Sequence, residues 1–143
     1  MIRDFFAQIE PLLKEAGYKG KITSSDGLSI WKGQTSVIIH HHPHPYNQAD
    51  ERVCLSFTLK NKQMKSAHPA MVLWLVDHLS YQFPEFNFTC LKNHAIFARY
   101  VCDICEPQDI LSQLTYAVEF FGHVRHDYRK LLPDVCKEIM DEQ

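Results

Sequence analysis

HPAMVLWLVDHLSYQ, residues 68–82, is the stretch on which the reading of the whole chain turns. Pro69 stands at a position where a helix begins and where its missing N–H has no intrahelical partner to lose. The run after it is too long and too apolar for a half-exposed strand, so a helix is expected. Met71, Val72, Leu73, Trp74, Leu75 and Val76 are consecutive. On a helix they point in every direction around about one and two-thirds turns. A sheet covers one side of such a helix, and each large apolar side chain left wet forfeits about 1.5–3 kcal/mol. That is a large share of a net stability of roughly 5–15 kcal/mol. The remaining cover comes either from another helix of the same chain or from a second copy related by a two-fold axis. Met71, Trp74, Leu75 and His78 are the residues expected at such a dimer or partner interface.

Upstream, Ile2, Phe5, Phe6, Ile9, Leu12 and Leu13 recur at helical spacing, with Pro11 as a threatened kink and Gly17 as a left-handed stop. From Gly20 to Lys60 the punctuation becomes that of β-structure. Asp26-Gly27 and Gly33-Gln34 mark hairpins, and Val53, Leu55, Phe57 and Leu59 alternate with Cys54, Ser56, Thr58 and Lys60. Three to four antiparallel strands are expected there, the last with one buried and one polar face. Downstream, Phe86–Leu91 and Ala95–Ile104 flank Lys92-Asn93-His94 as a further hairpin. Pro107 then opens a long helix whose apolar stripe is Ile110, Leu114, Ala117, Val118, Phe121, Val124 and Tyr128. Pro133 is expected to divide it from a short terminal helix with Val135 and Ile139. The fold class is α+β: one domain over 1–143, an antiparallel sheet of about five strands packed by helices, in the order α-β-β-β-α-β-β-α.

Fifteen basic against seventeen acidic residues give a net charge of -2 and a pI near 6.5, with no field to attract nucleic acid or anionic lipid. The N-terminus, MIRDFFAQIE, lacks the apolar core of a secretory signal, and the apolar run Ala70–Val76 is too short to cross a bilayer. The expected location is the cytoplasm, with no membrane and no nucleic-acid partner. Five scattered cysteines, Cys54, Cys90, Cys102, Cys105 and Cys136, are expected as reduced thiols.

Two patterns invite chemistry. His40, His41, His42 and His44 close a strand, and His40 and His42 would share a face at the spacing by which a strand offers two imidazoles to zinc. His44, His94 or a cysteine would have to complete the tetrahedron, and Pro43 and Pro45 bend the backbone away from that repeat. A solvated His/Pro turn is the plainer account, and no cofactor is expected. Cys102-Asp-Ile-Cys105 has CxxC spacing, but with its first cysteine in a strand the two thiols point to opposite faces. His123 with His126, and Asp77-His78, are expected on solvated helix faces and not as acid–base pairs. GxSxG, P-loop, GxGxxG and HExxH strings are absent.

The order of elements, with the closing segment LTYAVEFFGHVRHDYRKLL and its Tyr128-Arg129-Lys130-Leu131-Leu132 turn, resembles type III secretion chaperones and the related YbjN-like domains. The likeness covers nearly the whole chain in element order. Phe83-Pro84-Glu85-Phe86 departs from the glycine-rich turn of many secretion chaperones, which favours the YbjN-like side. The resemblance implies a non-catalytic module that holds an extended protein segment or pairs with itself, its middle helix at a homodimer interface. The alternative is a small metal-binding protein or metal-dependent enzyme built on His40, His42 and His44.

Overall fold

Helix α1 (Ile2–Glu15) buries Phe5, Phe6, Ile9 and Leu13, while Pro11 stays exposed within it and does not end it. Gly17, at φ 94°, ends it. The Tyr18 N–H reaches back to the Leu13 carbonyl at 2.9 Å and the Gly17 N–H to the Lys14 carbonyl at 3.0 Å, the paired bonds of a Schellman cap. Lys32 Nζ donates to the freed Ala16 carbonyl at 3.0 Å. A Cβ on Gly17 would lie 3.4 Å from Lys32 Cε, the far part of a flexible side chain, so backbone strain decides the effect of a substitution. Gly17→Ala is expected to cost about 1–2 kcal/mol. In thermal unfolding this is a fall of roughly 3–8 °C in Tm, and a Tm unchanged within a degree would mean that the chain turns here without a left-handed residue.

The computed structural model describes residues 2–24, 27–41 and 51–141, and side chains within 5–21, 27–41 and 52–133. After α1 come β1 (Lys19–Ser24), β2 (Gly27–Lys32), β3 (Thr35–His41), β4 (Glu51–Leu59), a 3-10 turn (Lys62–Ser66), α2 (Pro69–Gln82), β5 (Asn87–Cys90), β6 (Ile96–Ile104) and α3 (Asp109–Asp141). The class is α+β as expected, with six strands in one antiparallel sheet, ordered β1-β2-β3-β4-β6-β5, where about five were expected. Four strands precede α2, the upper figure of the three to four expected there, and the first of them is β1. Its sequence KGKITS puts lysines either side of a glycine and carries little apolar alternation. The chain divides into two compact units, residues 1–57 with 100–119 and residues 58–99 with 120–143.

In the first unit, β2 and β3 turn at Gly33-Gln34 with Lys32 opposite Thr35. Gly33, at φ 60°, supplies the positive φ that a two-residue hairpin requires. Asp26 of the other hairpin signal lies outside the described residues. Register places Leu28 beside Ile39 and Ile39 beside Leu55, all fully buried on one face. The opposite face carries Trp31 beside Ser36, both exposed, and His40 beside Cys54. Cys54 and Ser56 on β4 are buried too, so the polar face expected for this strand is covered at those positions. Cys54 Sγ and Ser56 Oγ lie 3.6 Å apart, which gives the hydroxyl a partner.

In the second unit, β5 pairs with the start of β6 through Phe88 and Ala98, and α2 packs on β5. The Phe86 ring lies 6.0 Å from Phe88 and 6.5 Å from Phe121 of α3. The Lys92-Asn93-His94 loop is the expected hairpin, with His94 at φ 63° as its left-handed residue. His94 Nδ1 lies 2.7 Å from the Met64 carbonyl, a tertiary hydrogen bond across 30 positions that holds an otherwise unfavourable backbone.

Pro107 stands in the turn that opens α3. Asp109 N–H reaches the Glu106 carbonyl at 2.9 Å, and the Asp109 carboxylate accepts from Glu106 N–H at 2.9 Å, half of a capping box. Ile110, Leu114, Ala117, Phe121, Val124 and Tyr128 are buried as expected, and Val118 is half-buried. The helix then runs through Pro133 to Asp141 without the expected break. A proline removes one intrahelical hydrogen bond at a cost of about 3 kcal/mol, and the bonds on either side of it carry a 33-residue helix past that loss.

Candidate interaction surface on the second helix

α2 starts at His68, whose backbone is extended (φ -64°, ψ 135°) and whose Nδ1 accepts from the Ala70 N–H at 3.1 Å. Met71 and Val72 N–H groups reach the His68 carbonyl at 2.9 and 3.2 Å, and Pro69 has no N–H. Every donor of the first turn is thus accounted for, with the imidazole in the place usually held by Ser, Asp or Asn. His68→Ala is expected to cost about 1 kcal/mol in urea unfolding and His68→Asn a few tenths. Equal losses in the two variants would show that the ring does not cap the helix. At the other end the Phe83 N–H closes on the Leu79 carbonyl at 2.9 Å.

The inward stripe is Val72, Leu75 and Leu79, at spacings of three and four. Leu75, expected at an interface, is fully buried within its own chain and leaves that set. It shares its direction with Val72 and Leu79, whereas Trp74, one position earlier, is turned about 100° away. Met71 and His78 flank the stripe half-buried. Facing outward are Leu73, 60% exposed, Trp74, 46%, and Tyr81, 86%. Asp77 and Ser80 lie exposed among them. The Trp74 and His78 rings are 5.6 Å apart at 30°, so the histidine supports one edge of the indole. Within the chain this helix is covered along one stripe, and the second side for which cover was expected stays exposed. Leu73 and Tyr81 were not singled out from sequence. The signal for them was the complement of the 72, 75, 79 spacing, which cannot be read until the buried side is known.

The remaining candidates are dispersed. His40 and His41 close β3, half-buried, opposite Cys54 and Val53, while His42 and His44 lie outside the described residues. Among the described residues no group of three or more His, Cys, Asp or Glu side chains is gathered as for a metal ion. Cys102 is buried in β6 and Cys105 is exposed beyond its end, both as thiols outside any disulfide. Burial pushes the Cys102 thiol up to about 12, with Asp103 and Cys54 adding to the rise, which is the reverse of what a reactive dithiol needs. His123 and His126 are exposed on α3, the former edge-on to Phe120 at 6.4 Å. An open depression of about 330 Å³ is lined by Tyr100, Ser112, Gln113 and Tyr116, and the Tyr100 hydroxyl donates to Gln113 Oε1 at 3.1 Å. The sheet edges are β1, where exposed Lys19 and Lys21 disfavour strand addition, and β5, which is four residues long. Among the described residues no helix is long and apolar enough to cross a membrane. No family model, no curated protein and no solved structure matches the chain.

Proposed function

We propose that the chain is a non-catalytic, chaperone-like protein-binding module that acts as a homodimer through the outward face of α2. The observation that carries this reading is the exposure of Leu73, Trp74 and Tyr81 together on one ordered helix. Trp and Tyr are the side chains in which interface energy concentrates, and large apolar groups grouped on a surface mark contact sites. The order of elements, one strand longer than that of the secretion chaperones, supports the same reading. The protonated, buried Cys102 thiol argues against nucleophilic chemistry at the CxxC pair.

The size of the patch sets the strength expected. Trp and Tyr bury about 150–250 Å² each when fully covered, so two copies of this partly exposed patch remove several hundred Å². Stable interfaces need about 1,200–2,000 Å², so the dimer is weak, in the micromolar range. Sedimentation equilibrium from about 1 to about 500 µM is therefore the test, with a monomer–dimer transition expected inside that range. Trp74→Ser and Leu73→Ser should each raise Kd at least about tenfold, the equivalent of 1.4 kcal/mol. A monomer at every concentration, or an unchanged Kd in both variants, would remove the proposal.

A further inference from the structure

The charges of the chain are segregated. Residues 1–57 and 100–119 carry six basic and ten acidic side chains, whereas residues 58–99 and 120–143 carry nine basic and seven acidic. Within 58–99 the imbalance is concentrated in Lys60, Lys62, Lys65, Lys92 and Arg99 against Asp77 and Glu85. Lys62 and Lys65 belong to the 3-10 turn and Lys92 to the β5–β6 loop, about 30 residues apart in sequence. The hydrogen bond between His94 Nδ1 and the Met64 carbonyl joins the two segments. Lys65 follows Met64 directly, Lys62 precedes it by two positions, and Lys92 precedes His94 by two. All three, and Lys60 beside them in sequence, are exposed. Among the described residues no ion pair reaches any of the four.

We infer that this lysine cluster is a docking surface for an acidic segment of a partner protein. Three like charges on two turns joined by a hydrogen bond, with a fourth at Lys60 adjoining in sequence, repel one another, and a counter-anion removes that repulsion. The kind of anion follows from the residues present. The cluster is all lysine, with no guanidinium fork for bidentate phosphate contacts and no aromatic ring among its members on which bases would stack. The chain's net charge of -2 opposes approach of a long polyanion such as nucleic acid. An anionic membrane fits poorly as well, because the exposed apolar face of α2 has Asp77 set between Trp74 and Tyr81. A carboxylate-rich peptide places point charges against point charges, and a short one is opposed less by the chain's net charge than a long polyanion is. The inference shares the protein-binding reading above and needs no self-association.

A fluorescein-labelled peptide of roughly eight glutamates, titrated with the full chain by anisotropy in salt from about 20 to about 200 mM, tests it. Binding at low salt, weakened about tenfold or more at the higher salt, is expected. Lys62→Glu/Lys65→Glu/Lys92→Glu should reduce affinity at least about thirtyfold, and the milder Lys→Gln set should reduce it less while keeping the fold. Lys19→Glu/Lys21→Glu, exposed lysines of β1, should leave binding unchanged. Equal losses in the β1 control, no loss in either cluster variant, or tighter binding to a single-stranded oligonucleotide or to vesicles of anionic lipid would each overturn the inference. Trp74→Ser separates it from the dimer: that variant should bind the peptide as the wild type does even where self-association is lost.

Discussion

Leu75→Ala is expected to lower the free energy of unfolding by about 2–5 kcal/mol, while Trp74→Ala, the next residue back and the larger truncation, lowers it by less than about 1.5. Leu75 is fully buried, and removing its branched end leaves a cavity lined by groups that cannot all collapse into it. Trp74 is 46% exposed, with His78 as its ring neighbour, so its removal exposes little that was dry. Urea unfolding followed by far-UV circular dichroism separates the two, with the m-value held constant between them. At a total stability of roughly 5–15 kcal/mol, the Leu75 variant would lose a large part of the whole. Equal losses would mean that Trp74 is packed inside, and the outward face of α2 would no longer be a candidate surface.

The contrast between these neighbours also shows how far the sequence can be read. An unbroken apolar run identifies a helix, because no half-exposed strand sustains it, but it carries no periodicity and so no direction. The inward side is set by β5 and the elements around it, and only then do Val72, Leu75 and Leu79 separate from Leu73, Trp74 and Tyr81. Elements with local signals were legible in full. Gly17 closes α1, Pro69 opens α2, Pro107 stands in the turn just before α3, and the Lys92-Asn93-His94 loop turns a hairpin. β1 was legible only through the Asp26-Gly27 hairpin signal that follows it, because its lysines face solvent at a sheet edge, where no apolar alternation is required. Pro133 misled for the opposite reason, since a local penalty of a few kcal/mol is outweighed by the length of helix on either side. The lysine cluster was invisible in one dimension, because the contact of His94 with Met64 that assembles it joins segments 30 residues apart.

Alkaline pH should act on the chain through Cys102. The unfolded thiol loses its proton near 9.0, and in the folded chain burial holds that proton until about 12, with Asp103 and Cys54 adding to the effect. Between those values the folded state binds the proton and the unfolded state does not, so stability is complete below about pH 9 and falls as the pH rises. The full shift would correspond to about 4 kcal/mol at 1.36 kcal/mol per unit. Asp103 is exposed, and solvent screens its part, so roughly 2 kcal/mol is the loss expected between about pH 9 and 11. Tyr18, also raised by burial, contributes with the same sign at higher pH. Comparing the wild type with Cys102→Ala cancels Tyr18, and the variant should lose about 2 kcal/mol less than the wild type over that range in urea unfolding. In the native state at pH 8, a disulfide reagent should meet Cys105 rapidly and Cys102 and Cys54 only as the chain opens. Parallel pH profiles in the two proteins, together with rapid labelling of Cys102, would place that thiol in water. The CxxC pair would then return as a candidate redox centre.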